Sequence, residues 1–242
     1  MRKTQILAAL TIASAGLAGC SNTQSTDVAT HGLYASIDLS SDGGGTTTAT
    51  AALKVGGATS NDYLDLTGGD RLVASHDATT LEMTRSQALG AVWYNATFGV
   101  GSAGTPFQIA LDRTATANVS APDSRVTLPA PFTITGPTAG ASFSRATDPI
   151  VVTWSGSGQT DPMSWVASGD CVVQQSGSVP ADNGTYSLPA GSLQPAQNQS
   201  GTSCQVQIRL SRARAGLLDA AYGEGGSISA SQVRSITVLS AP

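Results

Sequence analysis

The sequence predicts an all-β chain, two tandem antiparallel β-sandwich domains behind an N-terminal processing segment. Three observations lead there. Apolar residues recur with period two: Leu33, Ala35, Ile37 and Leu39 alternate with Tyr34, Ser36 and Asp38, and Cys204, Val206, Ile208 and Leu210 alternate with Gln205, Gln207, Arg209 and Ser211. Short β-propense runs are separated by Gly- and Asn-rich turn signals at sandwich spacing. Charged residues make up only 12% of the 242, while Ser, Thr, Gly and Ala are abundant, which favours a β-rich exported protein over a helical one.

The chain opens with Arg2 and Lys3, then an apolar stretch from Ile6 to Ala18, then Leu17-Ala18-Gly19-Cys20. A spanning helix needs about 20 apolar residues; this stretch is shorter and is flanked as a processed segment is. Small residues at Ala18 and Gly19 let a peptidase backbone approach, and the Cys20 thiolate is the nucleophile that can take a diacylglyceryl group. Residues 1–20 resemble the signal peptide and lipobox of bacterial lipoproteins. That resemblance implies cleavage after residue 19, palmitate-type acylation of Cys20, and attachment to a membrane. Ser21 and Asn22 follow the cysteine, where an Asp would imply retention at the inner membrane, so the resemblance implies the outer membrane. Residues 20–30 read as a polar lipidated tether.

Strand signals then run from 31 to 120. Ser41 to Gly45 is a turn, Thr46 to Val55 is β-propense, and Tyr63 to Leu66 with Arg71 to Ala74 flanks a Gly68-Gly69-Asp70 hairpin loop. Leu81 to Thr84, Ala91 to Phe98 and Pro106 to Leu111 complete the first domain. Residues 121–131 carry Pro122, Pro129 and Pro131, and proline cannot donate to a central ladder; the expectation is a short, stiff linker.

The pattern restarts over 132–242. Ile150 to Trp154 is an apolar strand ending in tryptophan, Met163 to Val173 carries Trp165 and Cys171, Asn183-Gly184 is a strong turn signal, and Ser227 to Leu239 closes the chain. The Pro137 to Ser144 lead-in, the Ile150 to Trp154 strand and the Cys204 to Leu210 strand resemble immunoglobulin-like and fibronectin type III modules, more closely than the first half does. Cys171 and Cys204 remain once Cys20 is acylated, and in an oxidising compartment a disulfide is the simplest reading of such a pair. In the antibody pattern the bridge joins the second and sixth strands. Here Cys171 falls in or after the third, so the bridge is expected to tie neighbouring strands of one sheet, or a loop to a strand.

Several functions are disfavoured. With Arg2 and Lys3 removed, the 12 basic residues fall to 10 against 16 acidic ones, a net charge of about −6, which makes a poor nucleic-acid binder. No G-x-S-x-G elbow, phosphate loop, zinc spacing or HExxH occurs, and the Gly99-Val100-Gly101-Ser102-Ala103-Gly104 string leads into the strand-like Pro106 to Leu111 run rather than a helix, so it is no dinucleotide fingerprint. His31 and His76 read as solvated loop residues. Asn61, Asp62, Asp65 and Asp70 read as turn residues before they read as a calcium site, and Trp154 and Trp165 read as core. No cofactor or metal is expected.

The segment Ala213 to Gly226 is long for a hairpin loop. Leu217, Leu218 and Tyr222 stand there beside Asp219 and Glu224, with Gly223, Gly225 and Gly226 expected to lend flexibility. It reads either as a contact loop or as a turn whose leucines cap the open end of the sandwich. The sequence therefore leads to a lipid-anchored envelope protein acting as a non-catalytic interaction or structural module. The other readings are an accessory lipoprotein that binds a periplasmic polypeptide or glycan and, less favoured, a hydrolase.

Overall fold

The computed structural model describes residues 21–114 and 119–242; Cys20 and the signal segment lie outside the described residues. Regular structure among them is strand, apart from two 3₁₀ turns at Ser25–Asp27 and Thr30–Gly32. The first part of the chain forms β1 (Ser21–Gln24), β2 (Leu33–Ser41), β3 (Thr47–Val55), β4 (Asp62–Asp65), β5 (Arg71–His76), β6 (Thr79–Glu82), β7 (Thr84–Ala88), β8 (Ala91–Phe98), β9 (Pro106–Asp112) and β10 (Ala121–Thr127). The second part forms β11 (Thr133–Gly136), β12 (Ser142–Ser144), β13 (Ile150–Ser155), β14 (Met163–Gly169), β15 (Val172–Val179), β16 (Thr185–Leu188), β17 (Cys204–Ala215) and β18 (Gly226–Ala241).

Two hydrophobic cores result. In the first, the inward faces of β2 (Leu33, Ala35, Ile37, Leu39) and β3 (Ala49, Ala51, Leu53) pack on the sheet β10-β9-β5-β6, which supplies Leu72, Ala74, Phe107, Ile109 and Leu111. In the second, β11-β13-β16 packs Val152, Trp154 and Leu188 against Trp165, Ala167, Val206, Ile208 and Leu210 of β14 and β17. β13, with Ile150 to Trp154, is the third strand of this part and β17, opened by Cys204, the seventh, each one place later than the second and sixth places of the immunoglobulin pattern because the lead-in forms two short strands, β11 and β12. This is an immunoglobulin-like and fibronectin type III-like arrangement, three strands facing a larger sheet.

The joint between the cores differs from the expected linker. Residues 121–127 are a strand, β10, paired antiparallel with β9, and a bulge between Ala121 and Ser124 accommodates Pro122. Proline is tolerated at edges and bulges as well as in linkers, so the proline cluster alone did not separate the two. What joins the sandwiches is the β17–β18 hairpin. Over Gly226–Gln232, β18 lies parallel to β2 of the first sandwich, while its remaining residues pair with β17 and β12 in the second. One sheet thus runs through both halves.

The N-terminal segment also departs from a free tether. β1 pairs parallel with β4, and Ser25 and Thr30 are buried. The Arg113 guanidinium donates to the carbonyls of Ser25 and Val28 and to the Thr30 hydroxyl, and pairs with Asp70 at 2.8 Å. Polar residues are held here by hydrogen bonds rather than by an apolar face, so no hydrophobic period marks the segment.

Candidate interaction site

Arg212 anchors the end of β17. It is fully buried, pairs with Asp182 at 2.6 Å, donates to the carbonyls of Ala130 and Gly156, and lies 5.1 Å from the Phe132 ring centre. Arg234 faces the same ring and donates to Ser41 O, and the buried Gln232 amide donates to Gly101 O. Burial lowers the Arg234 pKa, against the pull of Asp42. A planar guanidinium serves several carbonyls in fixed directions where an ammonium would not, which explains arginine in these positions.

Beyond this joint the hairpin reaches over the first sandwich. Leu217 exchanges both backbone hydrogen bonds with Arg125 on the outer edge of β10, each 2.8 Å long. The Asp219 carboxylate accepts the Asp123 N–H at 2.7 Å. An open strand edge is a template for unwanted pairing, and this loop covers it. Tyr222 is buried in the first core, and Leu218 packs against that core. Burial raises the Tyr222 hydroxyl pKa far above its ordinary value; Asp219 adds to the shift and Arg113 opposes it. The expected contact loop thus makes its contacts with the first sandwich. Its glycines serve close approach as well as turning: a Cβ would stand 2.2 Å from Arg125 O at Gly216, 2.4 Å from His31 O at Gly223, and 1.9 Å from Ala35 O at Gly226.

Leu217 differs from its neighbours. Its side chain is 71% exposed and lines a groove of about 590 Å³ where β5, β9, β10 and the hairpin meet. Leu217 and Ala215 supply its exposed apolar surface above the buried Phe107 and Val126, and Gln108, Arg125, His76 and Asp77 contribute polar groups. The sequence does not signal this convergence, because Leu217 and His76 are far apart along the chain.

Ser75, His76 and Asp77 sit together in the groove without forming a nucleophile and base pair. His76 Nδ1 is 3.1 Å from Pro106 O, and Nε2 is 3.3 Å from the Asp77 carboxylate. Both ring nitrogens face acceptors, so neither presents a lone pair to Ser75, whose hydroxyl points to Gln108 O at 3.4 Å. His31 lies on the N-terminal segment and is exposed.

The acidic residues considered for calcium are dispersed. Asp62 accepts from Thr23, Asp65 is held by Arg85, and Asp70 pairs with Arg113. Among the described residues no three His, Cys, Asp or Glu side chains converge as metal ligands would. Burial acts to raise the Asp70 pKa, but the Thr114 N–H, the Ser25 hydroxyl and the Arg113 charge together hold it below the ordinary 3.8. Trp154 and Trp165 are core residues; Tyr94 is buried and its neighbour Trp93 faces outward, as alternation requires.

Cys171 and Cys204 are disulfide-bonded, with Cα atoms 5.7 Å apart. The bridge ties the β14–β15 turn to the first residue of β17, within one sheet. Arg145 lies beneath it, buried, donating to the carbonyls of Gln199, Ser200, Thr202 and Ser240 and approaching Cys171 Sγ at 3.3 Å. No helix among the described residues is long and apolar enough to cross a membrane.

No protein-family model matches the chain, and no curated protein matches it. Solved structures with some likeness include the chicken CNTN1 FN1-FN3 domains, 10% identical at a TM-score of 0.31 over 93% of this chain and 69% of that one. The Yersinia pseudotuberculosis adhesin InvE is 16% identical at a TM-score of 0.23, over 87% and 59%. The titin domains z1z2 in complex with telethonin are 11% identical at a TM-score of 0.23, over 84% and 94%. Likenesses of this size constrain neither the arrangement nor the activity of this chain, and the sandwich class rests on its own sheets.

Proposed function

We propose that the protein is a lipid-anchored envelope protein, held at the outer membrane through Cys20, and that it is a non-catalytic interaction module. The groove beside Leu217 is its contact surface. The observation that carries this reading is Leu217 itself: a large apolar side chain left exposed on a backbone clamped by two hydrogen bonds to Arg125. A solvated apolar side chain on an already ordered backbone, beside a mixed groove, leaves only side-chain ordering to offset on binding. The groove favours a polypeptide over a glycan, because its one aromatic carbocycle, Phe107, is buried and offers no open stacking face.

A photocrosslinking residue at position 217 of the acylated protein in cells tests this. The expected result is a discrete adduct that is missing when the crosslinker stands at Val173 on β15, and that is lost with Arg125→Glu. Equal labelling from 217 and 173 would overturn the groove as contact surface. The anchor is tested separately: Cys20→Ala should move the protein from the membrane to the soluble fraction.

A further inference from the structure

We infer that the turn between β7 and β8 is a second membrane contact, an apolar hairpin tip that dips into the lipid surface beside the acylated N-terminus. This rests on the proposed lipid anchor at Cys20.

The placement follows from strand directions. β1 is parallel to β4, β4 is antiparallel to β3, and β3 is antiparallel to β8. The three strands β1, β4 and β8 therefore run the same way and start at one end of the first sandwich. β1 starts at Ser21, one residue after Cys20, and β8 starts just after the Leu89-Gly90 turn. β2 and the first half of β18 share that direction, so β18 leaves this end and enters the second sandwich at the other. Because residues 21–32 are folded onto the sandwich, acyl chains on Cys20 would hold this end against the bilayer with almost no slack.

The tip is built for an apolar environment. Leu89 is 100% exposed, and Ala88 to Trp93 contains no charged or hydrogen-bonding side chain apart from the Trp93 indole, which is partly exposed. Tryptophan favours the membrane–water interface. Leu89 also has a φ of 49°, a left-handed conformation that glycine or asparagine adopts more readily. A leucine there serves neither the turn nor a core. Its side chain gains on the order of tenfold or more in partition when removed from water. The nearby acids Asp62 and Asp65 are engaged by Thr23 and Arg85. Lys54, near the same end, lies with its ammonium over the Tyr63 ring and donates to Ala58 O at 3.1 Å.

The test uses acylated full-length protein in phosphatidylethanolamine–phosphatidylglycerol vesicles. Leu89→Cys carries an environment-sensitive dye on the one free thiol, since Cys171 and Cys204 are bridged and Cys20 is acylated. Ala88→Cys at the same tip and Val173→Cys in the second sandwich are labelled in parallel. All three sites are exposed, so folding is preserved, and a thermal transition matching the unlabelled protein confirms it. The expected result is blue-shifted emission at 89 and 88, largely quenched by brominated acyl chains, with the label at 173 unaffected. Protein that floats with the vesicles while labels at 88 and 89 stay as unquenched as that at 173 would overturn the hairpin contact and leave the anchor standing. Protein that fails to float would overturn the anchor and the contact with it.

Discussion

The second sandwich draws both of its sheets from residues 132–241 and carries its own staple, Cys171–Cys204, whereas the first takes essential parts from outside residues 33–128. Its sheet is extended by β18 against β2, its core includes Tyr222, Ile228 and Ala230, and the edge of β10 is covered by Leu217 and Asp219. Its N-terminal segment is tied in by Arg113. The first sandwich is thus completed by residues from the β17–β18 hairpin, and the two sandwiches are coupled by a shared sheet rather than by a linker. Truncation should expose this asymmetry most strongly. A soluble chain of residues 21–131 lacks β18 and the covering loop, leaving the β2 and β10 edges open; it should aggregate and show no cooperative unfolding. Residues 129–242 should keep a cooperative urea transition. Hydrogen-exchange protection of β2 and β3 in the shorter piece would break the comparison.

The buried arginines sharpen it next. Removing one partner of a buried ion pair costs about 3–5 kcal/mol, because the other charge is left uncompensated. Arg113→Met and Arg212→Met should both lower stability by about that amount, but in different places. Arg113→Met should open residues 21–32 to proteolysis, since its guanidinium holds their carbonyls. Arg212→Met should leave that segment protected and loosen the joint around Ala130 and Gly156. Equal proteolysis in the two variants would show that the N-terminal segment is held by something other than Arg113.

These arginines also mark how far the sequence could be read. Alternation reports which face of a strand is buried, so β2 and the core of β17 were legible from local pattern alone. It also held the signal for both arginines. Arg113, just past β9, follows Phe107, Ile109 and Leu111 in phase, and Arg212, within β17, follows Val206, Ile208 and Leu210, so each takes the next inward position. The charge hid the phase. The docking of β18 on β2 was not legible, because a strand's period carries no information about which distant strand it joins. The groove was hidden for the same reason: the pattern suggested Leu217 as a contact residue, but only the fold brings it beside His76. The proline cluster and the polar N-terminal segment misled because edge strands and hydrogen-bonded segments look like linkers when hydrophobic period is the guide.

Breaking the disulfide should have a slightly smaller effect, confined to the self-contained sandwich. A bridge spanning 33 residues contributes roughly 3–4 kcal/mol in the chain-entropy model. Cys171→Ser with Cys204→Ser should lower the urea midpoint reported by Trp154 and Trp165, both in the second core. Emission from Trp93, on β8 of the first sandwich, should shift at higher urea than theirs in the variant. Coincident transitions would mean that the shared sheet makes the two halves one cooperative unit.

The smallest expected effect separates the first sandwich by its response to acid. Asp70 has its pKa held below 3.8 in the folded protein, where burial is outweighed by Thr114, Ser25 and Arg113. A carboxylate with a depressed folded pKa binds its proton more readily in the unfolded chain. Its contribution is therefore complete above the unfolded value near 4 and is lost as pH falls through the folded value. Wild-type protein should lose stability as pH falls below the unfolded value near 4 partly through this group. Asp70→Asn should start lower at pH 7, because Arg113 loses its counter-charge, and should then lose less on acidification. The quantity that decides is the difference in urea midpoint between pH 7 and the acid condition, compared across wild type and variant. An equal fall in both would mean that other carboxylates carry the acid sensitivity of the first sandwich, and that the Arg113 clamp on the N-terminal segment does not depend on the charge of Asp70.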